Sequence, residues 1–360
     1  MNLAGTITIG SHEIGDHTKC YVIAEIGHNH QGSLEKAREL FREAKLAGAN
    51  AVKLQKRDNR TLYTRAAYDK PYENENSFGP TYGAHREFLE FGVKEYRELQ
   101  PYARELDLDF FSTAFDLASA DFLRQLDVPA YKIASGDLKS TPLLKHVAGF
   151  GKPVVISTGG AVIEDVQRAY DTIMPINPQL AILQCTAGYP AAFEELDLRV
   201  IHTYRDRFPG AVVGFSSHDN GIAMPLAAYM LGARLVEKHF TLNRAMKGTD
   251  HAFSLEPVGL RKMVRDLDRT HKALGNGVKK VYDSEKAPIV KMGKCLVVAR
   301  DLPGGHVIVA GDIVMKSPAG GIPPYELNKV IGRVTLRPLV QDDVLTFEVL
   351  SKPDVELARS

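Results

Sequence analysis

The chain has 360 residues, enough for a barrel of about 250 residues and a small second module. Its residues are 44% hydrophobic and 25% charged, which is ordinary globular composition and excludes wholesale disorder. The formal net charge of +1 argues against a nucleic-acid-binding protein, so any anion site must be local.

The cysteines and the apolar runs indicate in which cellular compartment the protein is found. Cys20, Cys185 and Cys295 lie far apart in apolar stretches, a pattern typical of buried thiols in a reducing compartment. No basic and apolar leader opens the sequence, and no apolar run approaches the roughly 18 residues of a membrane helix. We therefore expect a cytoplasmic protein with neither a membrane nor a nucleic acid as partner.

From residue 20 onward, short apolar runs alternate with stretches of helical period, which is typical of a parallel sheet built from βα units. The candidate helices include 33–47, 164–174 and 257–274. The predicted strands are 20–27, 51–55, 109–115, 130–136, 153–158, 180–186, 211–218 and 234–241. Eight units predict an α/β fold, the (β/α)8 TIM barrel. An open doubly wound sheet is the weaker alternative, because no Gly-x-Gly-x-x-Gly turn follows the first strand.

Two segments fall outside the barrel pattern. Residues 56–94, here called the basic loop, are rich in tyrosine, glycine and cations, and loops of this length are usually functional lids or disordered. After residue 274 the sequence changes to a charged stretch and then to short strands separated by Gly and Pro. The predicted domains are therefore a barrel at 1–282, a linker at 283–292 and a small β-rich domain at 293–360.

Polar side chains collect at the carboxyl ends of the predicted strands, where barrel enzymes carry their active sites. His218 and His239 end neighbouring strands and could converge on one open metal site, although each could equally be a hydrogen-bonded barrel residue. The candidates for binding a phosphate or a carboxylate are Lys53, Lys132, Ser135, Ser157 and Ser216.

These strand-end groups allow other interpretations. The lysines could be solvated, or Lys132 could form a Schiff base as in an aldolase. Glu25 and Glu237 are candidate acid–base groups, but each could instead pair with a neighbouring lysine for structure. Asp250 lies in a loop that could bind sugar hydroxyls.

Six blocks of sequence, taken in order, resemble the sialic acid synthase family over nearly the whole chain. They are Ala-Glu-Ile-Gly-His-Asn-His-Gln-Gly at 24–32, Lys-Ile-Ala-Ser-Gly-Asp at 132–137, Ile-Ser-Thr-Gly at 156–159, Leu-Gln-Cys-Thr at 183–186, Glu-Lys-His-Phe at 237–240 and Gly-Thr-Asp-His-Ala-Phe-Ser-Leu-Glu-Pro at 248–257. The resemblance implies a TIM barrel followed by an antifreeze-like (SAF) domain. It also implies a domain-swapped homodimer.

The resemblance further implies a reaction and the residues for it. Phosphoenolpyruvate condenses with an aldehyde sugar, water adds, and phosphate leaves by carbon–oxygen cleavage to give a nonulosonic acid. His218 and His239 would bind Mn²⁺ or Mg²⁺, which takes the aldehyde oxygen. Phosphoenolpyruvate would lie against Lys53, Lys132, Ser135, Ser157 and Ser216. The sugar and the metal-bound water would lie against Glu25, Gln55, Tyr189 and Asp250.

The identity of the sugar remains open between N-acetylmannosamine, its 6-phosphate, mannose 6-phosphate and bacterial diamino sugars. Ser317 stands where many bacterial members carry an arginine for the acyl group. The basic loop resembles animal-type synthases, which use hexose 6-phosphates. Its cations could bind such a phosphate or simply be solvated; they are Lys56, Arg57, Arg60, Arg65, Lys70 and Arg86.

Overall fold

The computed structural model describes residues 5–352 and contains a closed parallel barrel of eight strands, in which the last strand pairs with the first. A hairpin of β1 (Ile7–Ile9) and β2 (His12–Ile14) precedes the barrel. The barrel strands are β3 (Tyr21–Gly27), β4 (Ala51–Lys56), β5 (Asp109–Ala114), β6 (Tyr131–Ile133), β7 (Val154–Ser157), β8 (Leu180–Cys185), β9 (Val212–Ser217) and β10 (Leu235–His239). The predicted TIM barrel and its eight strands are confirmed.

Helices alternate with the barrel strands. They are α1 (Leu34–Ala47), α2 (Asn59–Leu62), α3 (Arg65–Tyr68), α4 (Tyr82–Leu89), α5 (Val93–Glu105), α6 (Leu117–Gln125), α7 (Thr141–Ala148), α8 (Ile163–Ile173), α9 (Val200–Arg207), α10 (Ala223–Met230) and α11 (Pro257–Leu274). Local signals set the ends: the Ser33 side chain accepts the backbone N–H of Lys36, and α11 starts at Pro257 and stops before Gly275.

The barrel strands are buried on both faces, because their outward side chains pack under the helices and their inward side chains fill the barrel. The β1–β2 hairpin adds Ile7, Ile9 and Ile14 to this core. Since side chains alternate along a strand, the inward polar residues of each strand end collect on one surface. That surface is the candidate site.

The basic loop is folded. It holds α2, α3 and α4, whose first turns are capped by the side chains of Asp58, Thr64 and Thr81. Backbone hydrogen bonds join the N–H of Tyr72 to the carbonyl of Pro80 and the N–H of Tyr82 to that of Lys70. The backbone of the basic loop therefore follows a defined path, held by its own helices and hydrogen bonds.

A second compact unit starts at Asn276. It contains α12 (Asp283–Met292), over the residues predicted as a linker, and an antiparallel pair of β11 (Cys295–Val298) and β12 (Ile313–Lys316). Its small core includes Leu296, Ile308 and Leu345. Within residues 5–352, no helix combines the length and the apolar character that crossing a membrane requires.

Candidate active site

A cavity of about 940 Å³ opens at the carboxyl ends of the barrel strands. Every residue predicted at a strand end or in the Asp250 loop as catalytic, substrate-binding or metal-binding lines it, whereas of the basic-loop cations only Arg57 and Arg86 do. The residues of the first set are Glu25, Lys53, Gln55, Lys132, Ser135, Ser157, Tyr189, Ser216, His218, Glu237, His239 and Asp250. The parallel register explains the convergence, since it sets Glu25 beside Lys53 on one neighbouring strand and beside His239 on the other.

Two lysines and two glutamates form a buried ion-pair network in the floor of the cavity. Lys53 Nζ lies 2.5 Å from Glu25 Oε2 and 3.6 Å from Glu237 Oε1. Lys132 Nζ lies 3.0 Å from the same Glu237 oxygen, and Lys53 also donates to Thr113 Oγ1 at 2.8 Å. The Lys132 side chain is therefore held against a carboxylate in the cavity floor.

The pKa values of the two glutamates shift in opposite directions. Burial raises the pKa of Glu25 and outweighs the attraction of Lys53. Burial acts on Glu237 as well, but Lys132 and Lys53 together outweigh it and hold its pKa at about 2. Two carboxyl groups whose pKa values move apart are suited to different tasks. Glu25, with the raised pKa, is the stronger base of the two, and Glu237 is ionised near pH 7.

His218 and His239 face each other across the same cavity, with ring centroids 5.3 Å apart. Burial lowers the pKa of both imidazoles to about 4, so both are neutral near pH 7. His218 Nδ1 lies 2.8 Å from the carbonyl oxygen of Thr186, which can only accept. This contact makes Nδ1 the protonated nitrogen and leaves the lone pair on Nε2.

The histidine pair suits a divalent cation. His239 Nδ1 is buried and has no hydrogen-bond partner within residues 5–352, and Asp250 Oδ2 lies 3.7 Å from it. Phe253 packs on both rings, at centroid distances of 5.0 Å and 5.9 Å, which restrains their orientation. No cluster of three or more ligating side chains occurs in the described part of the chain. A cation here would therefore keep positions open for water and substrate.

Hydroxyl groups line the wall near Lys132. Ser135 Oγ accepts the backbone N–H of Gly159 at 2.9 Å, so that hydroxyl is fixed. Ser157 Oγ is buried and has no partner among the described residues, and neither does Glu237 Oε2. Buried polar groups rarely remain unpaired, so free capacity of this kind inside a cavity indicates a ligand. The Ser157 hydroxyl and the Lys132 ammonium suit a small anion with several oxygens, whereas the Glu237 oxygen can only accept a hydrogen bond.

A second cluster of cations, Arg57 and Arg86, lies beyond Gln55. The Nε2 atom of Gln55 donates to Glu25 at 2.7 Å. Arg57 donates to Gln55 Oε1 at 2.7 Å and lies over the Phe115 ring at 3.6 Å. Arg86 donates to Tyr82 Oη at 2.9 Å.

These polar partners of the two guanidinium groups carry no negative charge. Burial lowers the pKa of Arg57, and the charge of Arg86 adds to this effect. The Nη1 atom of Arg57 is buried and has no hydrogen-bond partner in the described ranges. Two adjacent cations with neutral partners provide a site for an anion.

The structure separates the cations of the basic loop. Arg57 and Arg86 line the cavity, whereas Lys56 pairs with Glu90 at 2.8 Å and Arg60 lies over the Tyr68 ring. The lining residues that were not predicted as site residues include Asn76, Lys139 and Phe115. Lys139 could have been found as a cation shortly after the end of β6, but no sequence signal distinguishes Asn76 within its loop.

Two family models match this chain. The NeuB family model matches residues 40–279, and the SAF domain model matches residues 293–351. The chain belongs to the NeuB family. The resemblance seen in the sequence blocks and the predicted antifreeze-like domain are both confirmed.

Individual relatives cover nearly the whole chain. N-acetylneuraminate-9-phosphate synthase of Homo sapiens is 38% identical over 338 residues, which are 94% of each chain. N,N'-diacetyllegionaminic acid synthase of Legionella pneumophila is 34% identical and covers 88% of this chain and 91% of its own length. Among solved structures, the sialic acid synthetase of Leptospira borgpetersenii is 31% identical with a TM-score of 0.70, covering 80% of this chain and 96% of that one.

Proposed function

We propose that this NeuB-family chain, a nonulosonic acid synthase, condenses phosphoenolpyruvate with the 6-phosphate of an N-acetylmannosamine-type hexose. The products are a 9-phosphorylated nonulosonic acid and inorganic phosphate. The family and the synthases among its relatives support the reaction class. The assignment of a phosphorylated sugar depends on one observation: the cavity contains two clusters of cations, one on either side of Gln55. Lys53 and Lys132 form one cluster, and Arg57 and Arg86 form the other.

The two groups suit two different anions. Lys53 and Lys132, with the free hydroxyl of Ser157, have the charge and the donors for the phosphate and carboxylate of phosphoenolpyruvate. Within residues 5–352 the Arg57 and Arg86 side chains form no ion pair, and their guanidinium groups can bind a second phosphate bidentately. A sugar with its aldehyde near the histidines and a phosphate at its far end would place that phosphate at Arg57 and Arg86, while phosphoenolpyruvate occupies the lysine cluster.

In the proposed reaction, the C3 carbon of phosphoenolpyruvate forms a bond to the aldehyde carbon, the C=O π pair moves onto the aldehyde oxygen, which takes a proton, and water adds to the cationic C2. The C2–O bond to phosphate then breaks with its electron pair leaving on the phosphate, while the C2 hydroxyl loses its proton to form the ketone. Ionised Glu237 stabilises the positive charge that develops at C2, and Glu25 accepts the proton of the attacking water. Buried Lys53 and Lys132 hold the leaving phosphate.

His218 and His239 would hold the divalent cation, Mn²⁺ or Mg²⁺. The observation that supports this is a neutral imidazole pair with a free Nδ1 on His239 and a free Nε2 on His218. A bound cation would supply Lewis-acid polarisation of the sugar aldehyde. A homodimer, implied by the sequence resemblance, and a cytoplasmic location, expected from the cysteines and apolar runs, remain part of the proposal.

The direct test is phosphate release from phosphoenolpyruvate with Mn²⁺. The sugars compared are N-acetylmannosamine, N-acetylmannosamine 6-phosphate and mannose 6-phosphate, each with and without a chelator. We expect the highest kcat/KM with a phosphorylated sugar and loss of release on metal removal. Equal activity with the unphosphorylated sugar would contradict the phosphate assignment. Chelator-resistant turnover that borohydride traps on a lysine would indicate a Schiff-base aldolase instead.

Replacing both Arg57 and Arg86 with alanine should raise KM for the phosphorylated sugar by about 100-fold, because two charge-assisted contacts to its phosphate are lost. KM for phosphoenolpyruvate should change little. Steady-state kinetics with each substrate varied in turn measures both values. Arg60→Ala is the matched control, since Arg60 lies in the same loop but stacks on Tyr68. An unchanged KM for the sugar would make these arginines structural.

A further inference from the structure

A second buried ion pair lies beside the histidines and has no part in the reaction described above. Lys238 and Asp219 are both fully buried, with 1% and 0% of their surfaces exposed. Lys238 Nζ contacts Asp219 Oδ1 at 3.2 Å, the backbone carbonyl of Asp219 at 2.6 Å and Ser217 Oγ at 3.2 Å. These contacts use all three donors of the ammonium group.

The pair lies behind the cavity wall. Lys238 stands between Glu237 and His239 on β10, and side-chain alternation turns it to the opposite face of the strand. On β9 the residue directly paired with Lys238 is Ser217, which likewise alternates with the cavity-lining His218. The Lys238 ammonium therefore contacts the residue before His218 and the residue after it, while its own backbone leads into His239.

Stability alone does not account for a buried ion pair at this position. Removing two charges from water costs several kcal/mol, and apolar residues of similar volume often serve a fold equally well. Asp219 Oδ2 also has no hydrogen-bond partner in the described part of the chain, so even this carboxylate is incompletely satisfied. An apolar pair could not provide the hydrogen bonds that Lys238 donates to Ser217 and Asp219, the two neighbours of His218.

We propose that Lys238 and Asp219 form a positioning pair, which fixes the separation of the His218 and His239 imidazoles and thereby sets the affinity of this chain for its divalent cation. The inference rests on the proposed function, since it takes the two histidines as the cation ligands. The pair touches neither the cation nor the substrates. Its effect passes through the backbone of residues 217–219 and 238–239.

The test measures Mn²⁺ binding to the full-length chain by titration calorimetry, without substrates, together with Tm. The double variant Lys238→Met/Asp219→Leu replaces the ion pair with apolar side chains and leaves no single charge buried. We expect its Kd for Mn²⁺ to rise about 10- to 100-fold, the usual effect of losing groups that orient metal ligands, while Tm changes by only a few degrees.

Two controls complete the design. Tyr21→Phe removes the hydrogen bond from Tyr21 to Asp109, near the opposite end of the barrel where Tyr21 pairs with Leu235 of β10. This variant should leave Kd unchanged, whatever its Tm. His239→Ala should abolish binding.

The outcomes separate the two hypotheses. A double variant that binds Mn²⁺ as tightly as the unmodified chain would overturn the positioning pair alone. An equal loss of affinity in Tyr21→Phe would also overturn it, because any loss of barrel stability would then suffice. Mn²⁺ binding that survives His239→Ala would overturn the metal assignment of the proposed function and this inference with it.

Discussion

We expect replacement of His239 by alanine to lower phosphate release from phosphoenolpyruvate at least about 1,000-fold, equivalent to about 4 kcal/mol of transition-state stabilisation. The imidazole is buried at the cavity wall with a free Nδ1, so its loss removes one of two proposed cation ligands. Turnover at saturating sugar and phosphoenolpyruvate measures the effect. Excess Mn²⁺ should restore only part of it, because one ligand cannot hold the cation in place.

Two control variants test whether the loss of turnover is specific to His239. His271→Ala removes an imidazole that hydrogen-bonds Tyr229 on the outer helices, and it should leave turnover within about threefold of the unmodified chain. Ser317→Arg introduces the arginine of many bacterial synthases, and it should cost far less than His239→Ala while shifting preference towards N-acetyl sugars. Equal losses in all three variants would contradict the roles assigned to the histidines.

Replacement of Lys132 by methionine should lower kcat/KM for phosphoenolpyruvate by about 100- to 1,000-fold. The lost ammonium group contacts Glu237 at 3.0 Å, so the variant loses a cation for the substrate and leaves the buried Glu237 carboxylate with Lys53 alone, at 3.6 Å. Initial rates at varied phosphoenolpyruvate measure the change. KM for the sugar should move much less.

Lys139→Met is the matched control for charge in the same cavity. Lys139 also lines the cavity, but it is exposed and pairs with Asp165 at 3.0 Å. Its replacement should change kcat/KM less than about threefold. A comparable loss in both variants would mean that general positive charge attracts the substrate, and Lys132 would then have no specific role.

Much of the fold could be predicted because its signals are local. Each barrel strand is a short apolar run, and each outer helix has its own period and often its own cap, such as Ser33 before α1. Strand ends are less well determined: the predicted strand 130–136 is only Tyr131–Ile133 in the structure, where the following residues Ser135–Asp137 form a 3₁₀ turn. The helical propensity of residues 283–292 was hidden by their charge and by Pro288.

The candidate site was predictable to the extent that barrel topology fixes it. In a parallel barrel every strand ends on the same face, so the inward-pointing polar residues at the strand ends must lie near one another. This reasoning predicted five site residues from the sequence, and all of them line the cavity: Glu25, Lys53, Lys132, His218 and His239. It depends only on the number and order of strands.

Other properties depend on contacts between residues distant in sequence, and only the tertiary structure decided them. Arg57 and Arg86 face the cavity while Lys56 pairs with Glu90, because the path of the basic loop depends on contacts to the barrel. The opposite pKa shifts of Glu25 and Glu237 likewise arise from burial and from lysines on other strands. The sequence by itself determined the barrel and which residues could meet at its mouth, since periodicity and strand order are local. The charge state, orientation and partners of those residues follow from three-dimensional packing.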